Sequence, residues 1–229
     1  MLQHEEEIGV VDTGSLTRRW ATYAIGIYLL TLGVSLAIKA SIGISPQSSL
    51  TRTMTVVFPA MSQGTFNFLL ELIMLLLTYL VMPKGFQLRN FLSLIPAFAL
   101  ATFLDLNLKL THWVVVDSYA AKFLLLVFAD ATLAFGLFLM IRANLVLMPI
   151  DMFVNTVFKR TGWKWGNIKT AFDCTLLVTS AAVGLFCLGS PHFIREGTII
   201  NGILVGQYVK LYFFLFQHIA VKRKRAELK

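Results

Sequence analysis

Apolar residues along this chain gather into six long runs, separated by polar turns and by two shorter apolar stretches. The long runs extend approximately from Trp20 to Ala40, Phe66 to Met82, Phe91 to Leu108, Phe123 to Ile141, Ile168 to Leu188, and Thr198 to Ile219. Each is long enough to cross a hydrocarbon core of about 30 Å as an α-helix of roughly 20 residues. The shorter stretches, Pro46 to Phe58 and Pro149 to Phe158, cannot span comfortably and are expected to form re-entrant or half-length helices. Each opens with proline at the first helical position, where a missing N–H is no loss. Ser45 is a good N-cap for the first. Met148 is a poor one for the second, although Asp151 in its first turn suits the helix dipole.

The pattern is written twice. Gly33, Leu36, Ile38, Ala40 and Pro46 match identical residues at Gly136, Leu139, Ile141, Ala143 and Pro149, and Lys39 matches Arg142. After a one-residue gap Gly64 answers Gly166, and Glu71 answers Asp173. Each copy therefore runs span, half-helix, span, span. Three crossings is an odd number, so the second copy should sit upside down relative to the first. The expected fold is an all-α polytopic membrane protein of six transmembrane helices in two inverted three-helix repeats, each with a short re-entrant or half-length helix. The repeats occupy 18–110 and 118–220, between a polar N-terminal tail (1–17) and a basic C-terminal tail (221–229). Eight crossings with parallel repeats is the weaker alternative, because the short stretches contain Arg52 or Asp151.

Composition agrees with lipid as the solvent: 57% of residues are hydrophobic, only 14% are charged, and mean hydropathy is +0.73. Soluble domains carry about 25% charged residues. The net charge of +8 is concentrated in Lys222-Arg223-Lys224-Arg225 and Lys229, directly after an apolar run. That cluster suits a cytoplasmic flank beside anionic lipid rather than nucleic acid. With both termini inside, the cytoplasmic side also receives Arg18, Arg19, Lys84, Arg89, Lys159, Arg160 and Lys164, in accord with the positive-inside rule. The N-terminus, with Glu5-Glu6-Glu7, lacks a signal-peptide cleavage pattern, so the first span should be retained. Cys174 and Cys187 share one apolar run and cannot bridge each other.

Few residues here carry chemistry. Glu71 and Asp173 lie inside spans, where ionisable groups cost roughly 2.5–3.5 kcal/mol and usually face a partner or a wet cavity. They are candidate proton or cation coupling sites; internal pairing of Lys169 with Asp173, and a satisfied interhelical hydrogen bond for Glu71, are the structural alternatives. Lys39 and Arg142 end the first span of each copy, just before a half-helix whose N-terminus attracts anions. With Ser45, Asn144, Gln207 and Lys210 they form the candidate substrate-binding set. Asp105 is expected opposite Lys210, and Asp130 to serve packing or an asymmetric function. No catalytic, phosphate-loop or metal-ligand pattern is present, and no cofactor or enzymatic activity is expected.

The run I-K-A-S-I-G-I-S-P at Ile38–Pro46, its echo I-R-A-N-L-V-L-M-P at Ile141–Pro149, and the two glycines each followed seven residues on by a carboxylate resemble the YczE/YyaS/YitT-like family of bacterial integral membrane proteins. The resemblance implies a multi-pass protein of the bacterial plasma (inner) membrane and supplies no activity. Doubled architecture and mid-span carboxylates point to a transporter of a small, anionic or zwitterionic solute, bound between the repeats. The other reading is a non-transporting membrane subunit, either a solute-capture component or a regulator or tether of a partner enzyme. The lipid bilayer and a small solute are the expected partners, with a homo-oligomer or partner subunit possible and no nucleic acid.

Overall fold

The structure, a computed structural model, describes residues 14–191 and 193–227, with side chains as far as residue 218. The acidic N-terminal run and the side chains of the basic tail (221–229) lie outside the described residues. Among the described residues, eight α-helices are joined by turns and two short 3₁₀ segments: α1 Leu16–Ala40, α2 Pro46–Val57, α3 Gln63–Val81, α4 Leu94–Leu110, α5 Tyr119–Ala143, α6 Pro149–Thr161, α7 Trp165–Leu188 and α8 Glu196–Glu227. All but α2 and α6 are long and apolar enough to cross a membrane, α4 together with the 3₁₀ segment that leads into it. Apart from α4, the spanning helices begin two to four residues before their apolar runs do. Their first turns hold polar capping residues that hydropathy ignores: Ser15 and Ser62 accept hydrogen bonds from the N–H groups of Arg18 and Thr65.

The first spans of the two halves, α1 and α5, pack against each other at the centre of the bundle. They run antiparallel. Arg19, near the start of α1, donates to the carbonyls of Ala143 and Asn144 at the end of α5. Ile42, just past α1, clusters with Leu126 near the start of α5. Close approach is permitted by glycine on both sides. A Cβ at Gly33 would lie 2.5 Å from the backbone nitrogen of Leu133, and one at Gly136 would lie 2.4 Å from that of Leu30. These contacts are reciprocal, since Leu30 and Leu133 hold the same place in the two sequence copies. Both helices also stop alike, at a residue with left-handed backbone: Ser41 (φ 56°) and Asn144 (φ 44°).

Each third span lies beside the first span of its own half and runs in the same direction. Asn107 on α4 donates to Thr31 (2.9 Å) and to the carbonyl of Tyr28 on α1. Asn201 on α8 donates to Asp130 (2.6 Å) on α5, and Tyr212 reaches the carbonyl of Ala131. The half-helices cross over: α2 packs on α7, where Thr53 and Ser180 share a 3.0 Å hydrogen bond, and α6 packs on α3. One contact is not shared. In the first half α3 and α4 pack closely, whereas α7 and α8 barely touch. Cys174 and Cys187 are free and exposed on α7.

A polar cavity between two half-helix N-termini

Glu71 sits midway along α3 and is 2% exposed. A carboxylate at that depth needs donors, and the half-helices supply them. The N–H of Ile150, in the first turn of α6, donates to Glu71 Oε2 (3.1 Å). Gln47, in the first turn of α2, donates through Nε2 to Glu71 Oε1 (3.3 Å) and to Asn67 Oδ1 (2.9 Å). Glu71 thus caps α6 from a neighbouring helix, doing what Met148, with no side-chain cap bond, does not do. Ser45 caps α2 locally, accepting from the Ser48 N–H.

Both half-helices therefore begin at mid-span and diverge. The end of α2 leads through a short turn to the start of α3, and Phe58 meets Phe66 there. Arg160 near the end of α6 donates to the carbonyl of Val81, at the opposite end of α3. Two positive helix ends converge on one carboxylate, a favourable arrangement for the macrodipoles.

A cavity of about 250 Å³ lies at this convergence. Its polar lining comes from Ser45, Gln47 and Ser48 of the α2 start, Asn67 and Glu71 of α3, Asp151 of α6, Lys169 of α7, and Asn201 of α8. Leu30, Leu100, Leu133 and Met140 form apolar walls. The volume is several times the roughly 30 Å³ that one liquid water occupies, and polar lining of this kind holds water or a solute. Asn67 Nδ2 is buried there without a hydrogen-bond partner. Glu71, Asp151 and Lys169 are the ionisable residues that line the cavity. Lys169 is also bonded to Asp173 at 2.7 Å, one turn along α7. The lining thus holds two carboxyl groups and one amine. Among the described residues no three His, Cys, Asp or Glu side chains come together as a metal site.

Of the residues singled out in the sequence, Ser45 and Glu71 line the cavity. Asp173 lies behind it, half-exposed, in the ion pair with Lys169. Lys39 belongs to a different recess at the end of α1. Arg142 stacks on Phe216, its guanidinium carbon 3.9 Å from the ring centre. Asn144 terminates α5 and accepts from Arg19 through its carbonyl (2.5 Å). Gln207 and Lys210 are exposed on α8. Asp105 does not meet Lys210; it accepts from the Gly64 N–H (2.8 Å) and from the Ser62 hydroxyl (2.5 Å) at the start of α3. The sequence pattern does not single out Gln47, and it marks Asp151 only as a dipole partner. Their common signal is position: both fall in the first turn after the half-helix proline.

The chain is 24% identical over 220 residues to the "Uncharacterized membrane protein YczE" of Bacillus subtilis (strain 168), covering 93% of this chain and 95% of that protein. No solved structure matches. This likeness, with six apolar helices long enough to span, makes the chain a multi-pass membrane protein in contact with the lipid bilayer. The pattern of one described family matches residues 17–213. The chain belongs to that family, the family of unknown function DUF6198, and is similar to the membrane protein YczE.

Proposed function

We propose that this protein transports a small zwitterionic or cationic solute, bound in the central cavity between two inverted three-helix repeats, residues 18–110 and 118–220. The observation that carries the reading is the convergence of both half-helix N-termini on a mid-span polar cavity, an arrangement suited to charged solutes at bilayer depth. The antiparallel packing of α1 on α5 and the reciprocal contacts of Gly33 and Gly136 support inverted repeats. Such a relation places both termini on one side, taken here as the cytoplasmic side of a bacterial inner membrane.

The charge of the solute follows from what lines the cavity. The cations that favoured an anion, Lys39, Arg142 and Lys210, lie outside it. A solute ammonium would face Asp151 and Glu71, and a solute carboxylate would take the start of α2 beside Ser45, Gln47 and the spare Asn67 amide. Glu71 and Asp173 are the candidate coupling sites. Protonation of Glu71 removes the charge that holds the start of α6, so proton binding and movement of α6 would be linked. Alternating access would then be one repeat rocking on the other about the α1–α5 contact.

Uptake into proteoliposomes, screened with labelled amino acids, amines and polyamines, tests this. Wild-type protein should accumulate at least one class, and Asp151→Asn should reduce accumulation about tenfold while elution on size exclusion stays unchanged. No uptake across the panel, or wild-type uptake in both Asp151→Asn and Glu71→Gln, overturns it. A stoichiometric co-purifying partner together with no uptake would favour the non-transporting subunit instead.

A further inference from the structure

The end of α1 carries a second polar recess, remote from the central cavity and independent of the transport proposal. It encloses about 420 Å³ and is lined by Lys39, Ser41, Arg52 and Lys122 on one side, with Ile38, Leu108 and a short run of valines on the other. The three cations come from the end of α1, the middle of α2 and the start of α5. Among the described residues lining the recess there is no carboxylate. Asp117, the nearest acid in sequence, is exposed and does not line it.

Three cations around one recess, with no acid in its lining, make a positive concavity that favours an anion. Arg52 adds a second sign. Its Nε is buried with no hydrogen-bond partner, while the guanidinium lies 5.9 Å from the Phe193 ring centre. A buried charged donor left open is costly, and a multi-oxygen anion held by the guanidinium where Arg52 lines the recess would offset that cost. Simple snorkelling explains Lys39 at a helix end, but it does not explain an arginine inside a half-helix with a buried, open Nε.

We infer that this recess binds a phosphate-bearing ligand, with Arg52 as the directional donor and Lys39 and Lys122 as supporting charges. Phosphate fits better than a lone carboxylate because its several oxygens match donors arriving from three elements. The adjoining apolar wall, at the end of a spanning helix, gives room for the non-polar part of an amphiphile. The phosphate source is therefore either a lipid headgroup or a free phosphate, which share this chemistry.

The test uses the whole protein in neutral detergent, titrated with phosphatidylglycerol, diacylglycerol or inorganic phosphate and followed by native mass spectrometry and thermal unfolding. Phosphatidylglycerol should be retained and diacylglycerol should not. Arg52→Gln, and separately Lys122→Gln at a half-exposed position, should weaken retention about tenfold, whereas Lys164→Gln, outside the recess, should leave it unchanged. Displacement by inorganic phosphate at millimolar concentration identifies a free-phosphate site, and resistance to displacement identifies a headgroup site. Either outcome supports a phosphate ligand. Equal retention in wild type and both recess variants, or no binding of either phosphate compound, overturns the inference. Lys122→Gln keeps the test valid should Arg52→Gln fail to fold.

Discussion

The two halves of this chain share landmarks but do not use them alike. In the first half Gly64 presses against α4: a Cβ there would lie 2.2 Å from the Ala101 carbonyl, and Asp105 caps the helix start. In the second half Gly166 has no atom within 4 Å of the corresponding point. The carboxylates diverge too. Glu71 is buried beneath two half-helices, while Asp173 sits half-exposed in a local ion pair. A repeated sequence therefore preserved element order and the central α1–α5 contact, and left the peripheral contacts free to differ. Both halves supply the cavity's acids, Glu71 from the tight half and Asp151 from the loose one, in which α7 and α8 barely touch.

The carboxylates should show the largest contrast. Glu71→Ala leaves the Ile150 N–H and the Gln47 amide without their acceptor in a buried site, and should cost about 3 kcal/mol. Asp173→Ala removes a half-exposed pair and should cost under about 1 kcal/mol. Thermal unfolding in one detergent measures both. Equal losses would mean that the two acids are equivalent after all.

Glycine substitution probes the same difference through packing. Gly64→Ala forces backbone apart and should cost about 2 kcal/mol, whereas Gly166→Ala should be neutral or slightly stabilising through helix propensity. Gly202 and Gly206 also have open space at the Cβ position, so alanine there should change little despite their four-residue spacing. Asp105→Ala removes the acceptor that supports the Ser62 cap and the Gly64 N–H of α3 and should cost about 1 kcal/mol, with faster hydrogen exchange at Gly64 and Thr65. Unaltered exchange at those amides would mean that Asp105 does not hold the helix start.

How much of this was legible beforehand depends on the kind of signal. Spans and half-helices were readable because bilayer thickness writes itself into the length of apolar runs. Ser45 was readable as a cap, and Glu71 as an expensive residue at depth. The destination of the Glu71 hydrogen bonds was not, because its partner lies 79 positions away and donates through backbone, which leaves no residue signature. Register groups Lys39 with Arg142, yet the chain folds them to different places, one into a basic recess and one onto Phe216. The separation of α7 from α8 was equally silent. Apolar side chains gain nothing by preferring a neighbouring helix over lipid, so hydropathy does not encode which spans touch.

The smallest expected effect lies at the start of α7, where the comparison can be pushed towards symmetry. Ser62 begins α3 and accepts from the Thr65 N–H, while Lys164 holds the matching place before α7 and makes no side-chain cap bond. A lysine there also places positive charge at the positive end of the helix dipole. Its backbone is already extended (φ −60°, ψ 130°), close to that of Ser62, so a serine could cap without rearrangement. Lys164→Ser should therefore stabilise the protein by about 0.5–1 kcal/mol, read as a small rise in the unfolding midpoint and slower exchange at Asn167. A fall instead would show that Lys164 is held by an interfacial contact worth more than a cap, and that the loose half is anchored from outside the bundle.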